Sequence, residues 1–70
     1  MKLTKVRDGY YEYKNFFIYK PDEQERVWLV YEWMNGKKYG ESYYVGHAAT
    51  LKATKEFLIK VIAYKEEHNV

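Results

Sequence analysis

Side chains that could do covalent or acid–base chemistry are scarce in this sequence. It has no cysteine, a single serine, Ser42, and two histidines, His47 and His68, whose spacing is not that of a metal site. The acidic pair Glu66 and Glu67 falls in a predicted helix, where neighbouring side chains point about 100° apart and do not converge. No phosphate-cradling glycine loop is present. We therefore expect a non-enzymatic protein that binds no metal, cofactor or small-molecule substrate.

The abundant chemistry is that of aromatic rings. Aromatic residues make up 20% of the chain, and nine of its 70 residues are tyrosine. Tyrosine combines a large contact area with a polar tip and few rotatable bonds, which suits a binding surface. The same composition is equally typical of a small sheet in which aromatic rings fit the pleat. Composition alone leaves both interpretations open.

Basic side chains offer a second kind of binding chemistry. The formal net charge is +2, and charges of both signs are mixed along the chain. This balance is mildly basic, below that of a dedicated nucleic-acid binder. The candidate nucleic-acid contacts, near predicted strand ends and turns, are Lys14, Arg26, Lys37 and Lys38.

The elements that must position these side chains are three strands and a helix. Residues 10–20, 26–34 and 41–45 are rich in aromatic and β-branched residues, which predicts strands. Asn35-Gly36 between the second and third is a strong signal for a β-hairpin turn. Thr50 then reads as a helix N-cap, and the predicted helix spans residues 51–66. Its apolar residues recur at helical spacing: Leu51, Phe57, Leu58, Val61 and Ile62.

The predicted fold is therefore α+β, a three-stranded antiparallel sheet with one C-terminal helix packed on one face. Residues 1–70 form a single domain, since a chain this short supports one core. No apolar run approaches the roughly 18 residues of a membrane span, and the first residues lack the apolar core of a signal peptide. Together with the absence of cysteine, this predicts a cytoplasmic protein that does not contact membranes.

The second strand is apolar on both faces, although one helix can cover only one of them. We assign Phe16, Ile18, Trp28 and Val30 to the helix side. The predicted partner-binding residues on the opposite face are Phe17, Tyr19, Val27, Leu29, Tyr31 and Trp33. An exposed apolar patch of this size is typical of an interaction site for another protein or for a second copy in a homodimer. If the N-terminal segment instead folds over this face, these residues belong to the core.

Two stretches of the sequence match patterns found in known proteins. The run Arg7-Asp8-Gly9-Tyr10-Tyr11-Glu12-Tyr13 is followed by a strand around Trp28 and Val30, a hairpin and a helix. This order resembles the amino-terminal arm-binding domains of tyrosine integrases from phages and conjugative transposons. That resemblance implies a sheet whose outward residues read DNA in the major groove, and so a DNA-binding accessory domain. Here the outward face is instead aromatic and aliphatic, which departs from the family pattern.

The other stretch, Thr50-Leu51-Lys52-Ala53-Thr54-Lys55-Glu56-Phe57, is similar to the helix start of small phage proteins with a strand-rich beginning. This similarity implies a phage or mobile-element protein that binds or inhibits a host protein.

Overall fold

The computed structural model describes residues 2–22 and 24–68, and within them the strands form one antiparallel sheet. The sheet has five strands in the order β1-β2-β3-β4-β5, so each strand pairs with its neighbour in sequence. Their bounds are β1 Thr4–Arg7, β2 Tyr10–Tyr13, β3 Phe16–Tyr19, β4 Trp28–Trp33 and β5 Ser42–Ala48. One helix, α1, spans Leu51–His68 and packs against β4 and β5. The α+β class with one helix and an antiparallel sheet is confirmed.

The prediction of three strands is wrong, because residues 10–20 contain two strands instead of one. Lys14 and Asn15 reverse the chain, so that Tyr13 pairs with Phe16. The side-chain amide of Asn15 donates to the carbonyl oxygen of Trp33 (2.7 Å), and the Trp33 amide donates to the Asn15 carbonyl (3.0 Å). This pair of bonds anchors the turn to β4. The turn is hard to recognise in the sequence, because aromatic residues flank it on both sides and the first residue of the turn, Lys14, is not a usual turn former.

The fifth strand is β1, in the segment that precedes the predicted sheet. It pairs with β2 across the turn at Asp8-Gly9, where Gly9 has a φ of 76° that favours glycine. All four β1 residues are exposed. A strand without a buried face shows no apolar–polar alternation, so the periodicity of the sequence gives no sign of it.

The connection between β4 and β5 spans residues 34–41, one residue more at each end than the 35–40 between the predicted strands. Asn35 and Gly36 do form a turn, with φ values of 55° and 69°, and the Lys37 amide donates to the Met34 carbonyl. A second turn follows, in which the Gly40 amide donates to the Lys37 carbonyl (3.1 Å). The result is a loop of residues 34–41, which we call the β4–β5 loop.

The predicted third strand, residues 41–45, is also too short, because β5 continues to Ala48. Val30 pairs with Gly46 and Tyr31 with Tyr44, so Val45 is an extra residue in a β-bulge. Gly46, one residue past the predicted end of the strand, lies within β5. A Cβ at Gly46 would lie 2.4 Å from Cζ of Phe57. The missing side chain therefore allows α1 to lie directly on β5.

The helix side of the sheet is the hydrophobic core. Phe16, Ile18, Val30 and Leu58 are buried at its centre. Trp28 packs around them, as the strand parity predicted, and so do Phe57, Val61 and Ile62, as the helical spacing predicted; Leu51 is half-buried. The Thr50 hydroxyl accepts a hydrogen bond from the Ala53 amide (3.1 Å), which confirms the predicted N-cap. The helix then extends two residues past the predicted end.

A buried carboxyl group connects the sheet to the C-terminal half of the helix. Glu32, on the helix side of β4, lies 2.6 Å from Nζ of Lys65 and accepts a 2.6 Å hydrogen bond from the Tyr43 hydroxyl. Burial acts to raise the pKa of Glu32, but the hydrogen bonds from Lys65 and Tyr43 outweigh it, and the net pKa lies below its ordinary value. We call these three residues the Glu32 latch.

Candidate functional site

The face of the sheet that points away from α1 carries a cluster of aromatic rings. Strand alternation places them there, and the register makes Tyr10–Tyr19 and Phe17–Tyr31 directly opposed cross-strand pairs. We call this surface the aromatic face. Its rings are those of Tyr10, Phe17, Tyr19, Tyr31, Trp33 and Tyr44, with Tyr39 added from the β4–β5 loop.

The rings of the aromatic face are stacked on one another. The Phe17 ring is 5.2 Å from Tyr31, with planes 7° apart, and 5.8 Å from Tyr10, with planes 18° apart. Near-parallel rings with centres about 5–6 Å apart are in the stacked range that aromatic pairs favour. The rings therefore direct their faces at one another. Their edges and the tyrosine hydroxyls are left for contact with other molecules.

Trp33 lies on this face but is covered by the β4–β5 loop. The residue is 3% exposed, with the Tyr39 ring in edge contact at 5.2 Å and the Lys38 ammonium 5.9 Å from the centre of the Trp33 ring. Tyr39 has a φ of 67°, in the left-handed region. The expectation that Trp33 offers free surface to a partner is therefore corrected. The covering segment is this loop and not the N-terminal segment, which forms β1 at the sheet edge.

A second buried carboxyl group, Glu12, lies within the aromatic face. It is cross-strand from Phe17 and 6% exposed. The Tyr39 hydroxyl donates to Oε1 of Glu12 (3.2 Å), and Lys38 Nζ lies 3.5 Å from the same oxygen. The hydrogen bond to Glu12 and, less strongly, burial raise the pKa of Tyr39. Sequence reasoning missed Glu12, although it shares strand parity with Tyr10, whose ring belongs to this face.

A shallow depression of about 410 Å³ crosses the aromatic face. At its β1 side the Arg7 guanidinium lies 5.2 Å from the centre of the Tyr10 ring, in cation–π range. The residues that line it are Arg7, Tyr10, Phe17, Tyr19, Tyr31 and Ser42. Burial, together with the neighbouring Tyr31 hydroxyl, raises the pKa of Tyr19. The floor of the depression is therefore aromatic, and hydroxyl groups lie along it.

At the β5 side, the bulge at Val45 brings Tyr44 and His47 to the same face although they are three positions apart. The Tyr44 hydroxyl and Nδ1 of His47 are 2.6 Å apart, and their rings stack at 6.4 Å. Leu29 pairs with Tyr19 on β3 and with His47 on β5, and it is half-buried. Val27, just before β4, is also half-buried. His47 is a further residue of this face that sequence reasoning did not assign to it.

The four predicted nucleic-acid contacts do not form one surface. Lys14, in the β2–β3 turn, and Lys37 and Lys38, in the β4–β5 loop, lie at one end of the sheet. Arg26, just before β4, lies at the other end. Lys38 is engaged by Glu12 and Trp33, and the Lys14 ammonium lies 5.5 Å from the centre of the Tyr13 ring.

Comparison of the chain with protein-family models, curated proteins and solved structures finds no match. Within residues 2–22 and 24–68, no helix has the length and apolar character needed to cross a membrane. In the same residues, no three histidine or acidic side chains group together in a way that could hold a metal ion.

Proposed function

We propose that this chain is a small protein-binding module without catalytic activity, and that it takes up a segment of a partner protein on the aromatic face. The observation that carries the proposal is the stack formed by Tyr10, Phe17 and Tyr31 on the side of the sheet that α1 leaves uncovered. A host protein of a phage or mobile element is the kind of partner that the sequence resemblance suggests.

The stacked rings are suited to a protein partner. Because each ring is held by its neighbours, little side-chain freedom remains to be lost when a partner binds. Ring edges and hydroxyl groups offer apolar contact and hydrogen bonds side by side, which is the combination that makes tyrosine common in protein interfaces. The depression across the face gives a peptide segment a concave seat.

The same geometry supports a protein partner over the alternative of a DNA-binding accessory domain. Single-stranded bases stack on open ring faces, and here the central Phe17 ring is already stacked with Tyr10 and with Tyr31. A duplex-reading sheet presents basic and polar side chains to phosphates and base edges. Of the four basic candidates, Lys38 is engaged by Glu12, and Arg26 lies at the far end of the sheet.

Matched tyrosine substitutions test the proposal. Tyr31→Ser and Tyr44→Ser alter the aromatic face, whereas Tyr64→Ser alters a tyrosine of α1 that is 62% exposed. The immobilised wild-type protein captures proteins from a host lysate, and mass spectrometry identifies them. The identified partner is then purified and titrated against all four proteins. We expect each face substitution to weaken binding by about tenfold or more, as hot-spot tyrosines do, and Tyr64→Ser to leave the affinity unchanged.

Thermal unfolding of each variant shows whether a loss of binding reflects a loss of fold. The proposal is wrong if the face variants bind the purified partner as well as wild type does, or if both of them fail to fold. Sedimentation velocity over a range of concentrations provides the second arm. If the protein is a dimer that Tyr31→Ser dissociates, the molecule bound on the aromatic face is a second copy of this chain and not a different partner protein.

A further inference from the structure

The Glu12 carboxyl group has an incomplete set of partners for a buried charge. Its side chain is 8% exposed, and Oε1 is contacted by the Tyr39 hydroxyl and by Lys38. No donor in the described part of the chain reaches Oε2, which is fully buried. Buried carboxylate oxygens are ordinarily hydrogen-bonded, so an unpartnered one marks a place where a donor is missing.

Lys38 is a poor match to this carboxylate. Its Nζ is 3.5 Å from Oε1, longer than the roughly 2.7–2.9 Å of a charge-assisted hydrogen bond. The Lys38 side chain is 49% exposed, and its ammonium lies 5.9 Å from the centre of the Trp33 ring. The chain's own lysine therefore holds a cation position between a carboxylate and an aromatic ring, but it contacts both loosely.

A guanidinium group fits this position better than an ammonium does. The planar guanidinium donates two parallel hydrogen bonds, one to each oxygen of a carboxylate, and it also stacks on aromatic rings. We propose that Glu12 and Trp33 form a receptor site for an arginine side chain of the partner protein, which Lys38 occupies until the partner binds. This inference rests on the proposed function, because it names the residue of the partner that the aromatic face recognises.

The partner's arginine gains access when residues 37–39 of the β4–β5 loop move outward. Tyr39 is 71% exposed and has a left-handed backbone conformation, which is unfavourable for tyrosine. A depression of about 460 Å³ adjoins the Lys38 side chain and is lined by Lys14, Asn15, Gly36 and Lys38. Tyr39 therefore lies largely in solvent in a backbone conformation that it does not favour, and there is open space beside the lysine that must leave.

The two tryptophans give a direct readout of this site in the wild-type protein. Trp33 lies in the site and Trp28 in the core on the other side of the sheet, so their indole N–H signals in a ¹⁵N NMR spectrum serve as reporter and internal control. The probes are capped tripeptides, Gly-Arg-Gly and its lysine and citrulline counterparts, with free L-arginine as a fourth. Citrulline keeps the shape of arginine and lacks its charge.

We expect the arginine tripeptide to shift the Trp33 signal saturably and leave Trp28 unmoved, and the citrulline tripeptide to bind about tenfold more weakly or not at all. Lys38→Ala should tighten arginine binding. Lys38→Arg should block it and raise the midpoint of thermal unfolding, because the chain then supplies its own guanidinium. Glu12→Gln should abolish the response, and Glu41→Gln, which alters an exposed carboxyl group, should not.

Equal binding of the arginine and citrulline tripeptides, or no effect of either Lys38 substitution, would overturn the inference. Free L-arginine that binds better than the tripeptide would overturn it as well, because the site would then serve a small molecule. If Glu12→Gln does not fold, the test rests on Lys38→Arg: blocked arginine binding supports the inference, and unchanged binding overturns it. If a purified partner still binds in a Tyr31-dependent manner while the arginine probes do not bind, this inference is wrong and the proposed function stands.

Discussion

Phe17 and Tyr31 face each other across β3 and β4 with ring centres 5.2 Å apart and planes only 7° from parallel. Phe17 also contacts the rings of Tyr10, Tyr19 and Trp33, at 5.8, 6.3 and 4.9 Å. It is therefore the central ring of the aromatic face, and the alignment of the others depends on it.

Replacing this central ring should cost more than replacing a ring at the end of the stack. Each aromatic pair contributes about 0.5–1.5 kcal/mol beyond its buried area, so we expect Phe17→Leu to lower the free energy of unfolding by about 2 kcal/mol or more. Tyr10→Leu removes one ring pair, with Phe17, and the cation–π contact with Arg7, two interactions against four, so it should cost about half as much. Urea unfolding of both variants measures the difference. Equal costs would mean that the stack does not act as a unit around Phe17.

Gly46 should not tolerate a side chain. A Cβ there would lie 2.4 Å from Cζ of Phe57, so Gly46→Ala must push α1 away from β5 or displace the Phe57 ring. Overpacking of this kind typically costs about 1–3 kcal/mol. In a double-mutant cycle with Phe57→Leu, the smaller side chain should relieve much of that cost. Additive losses in the cycle would show that the penalty has another origin.

The Glu32 latch should make stability depend on pH in the acidic range. The pKa of Glu32 in the folded protein lies below its ordinary value of 4.5, so the unfolded chain takes up the proton first as pH falls. The stabilisation is complete above that ordinary pKa and is lost as pH falls towards the folded pKa. Glu32→Gln should flatten this part of the profile, measured by thermal unfolding between pH 3 and 7. Glu41→Gln, at an exposed position, is the matched control and should leave the profile unchanged.

Lys14 should be a site of easy stabilisation. Its φ of 50° lies in the left-handed region, which costs an ordinary residue about 1–2 kcal/mol and an asparagine less. Lys14→Asn should therefore raise the free energy of unfolding by about 0.5–1 kcal/mol. Lys20→Asn, at a position without a positive φ, serves as the control. A loss of stability on Lys14→Asn would mean that the contact of the lysine with the Tyr13 ring outweighs the backbone strain.

The helix and the core were predictable from the sequence because their signals are local. Thr50 caps the helix from the adjacent turn, and the alternation of Phe16, Phe17, Ile18 and Tyr19 separates core from aromatic face. These assignments need only the period of a helix or a strand and the knowledge that one helix covers one face.

The features that escaped prediction depend on contacts between residues far apart in the chain, or on strands with no buried side. Trp33 is buried by Tyr39 because a loop of eight residues returns over the sheet, and no local pattern encodes that return. Glu12 is an acidic residue in an aromatic strand, and its contacts with Lys38 and Tyr39 join residues more than 25 positions apart. The strand β1 is exposed throughout, so its residues carry no periodic signal.

The extra residue Val45 has a consequence for the behaviour of the protein at high concentration. The two outer strands of the sheet are unequally guarded against edge-to-edge aggregation: β1 carries Lys5 and Arg7, whereas β5 has no lysine, arginine or acidic residue. A long, flat, uncharged edge is a template on which further chains add as strands. The bulge kinks that edge partway along its length, and so Val45 protects the strand that charge leaves unprotected.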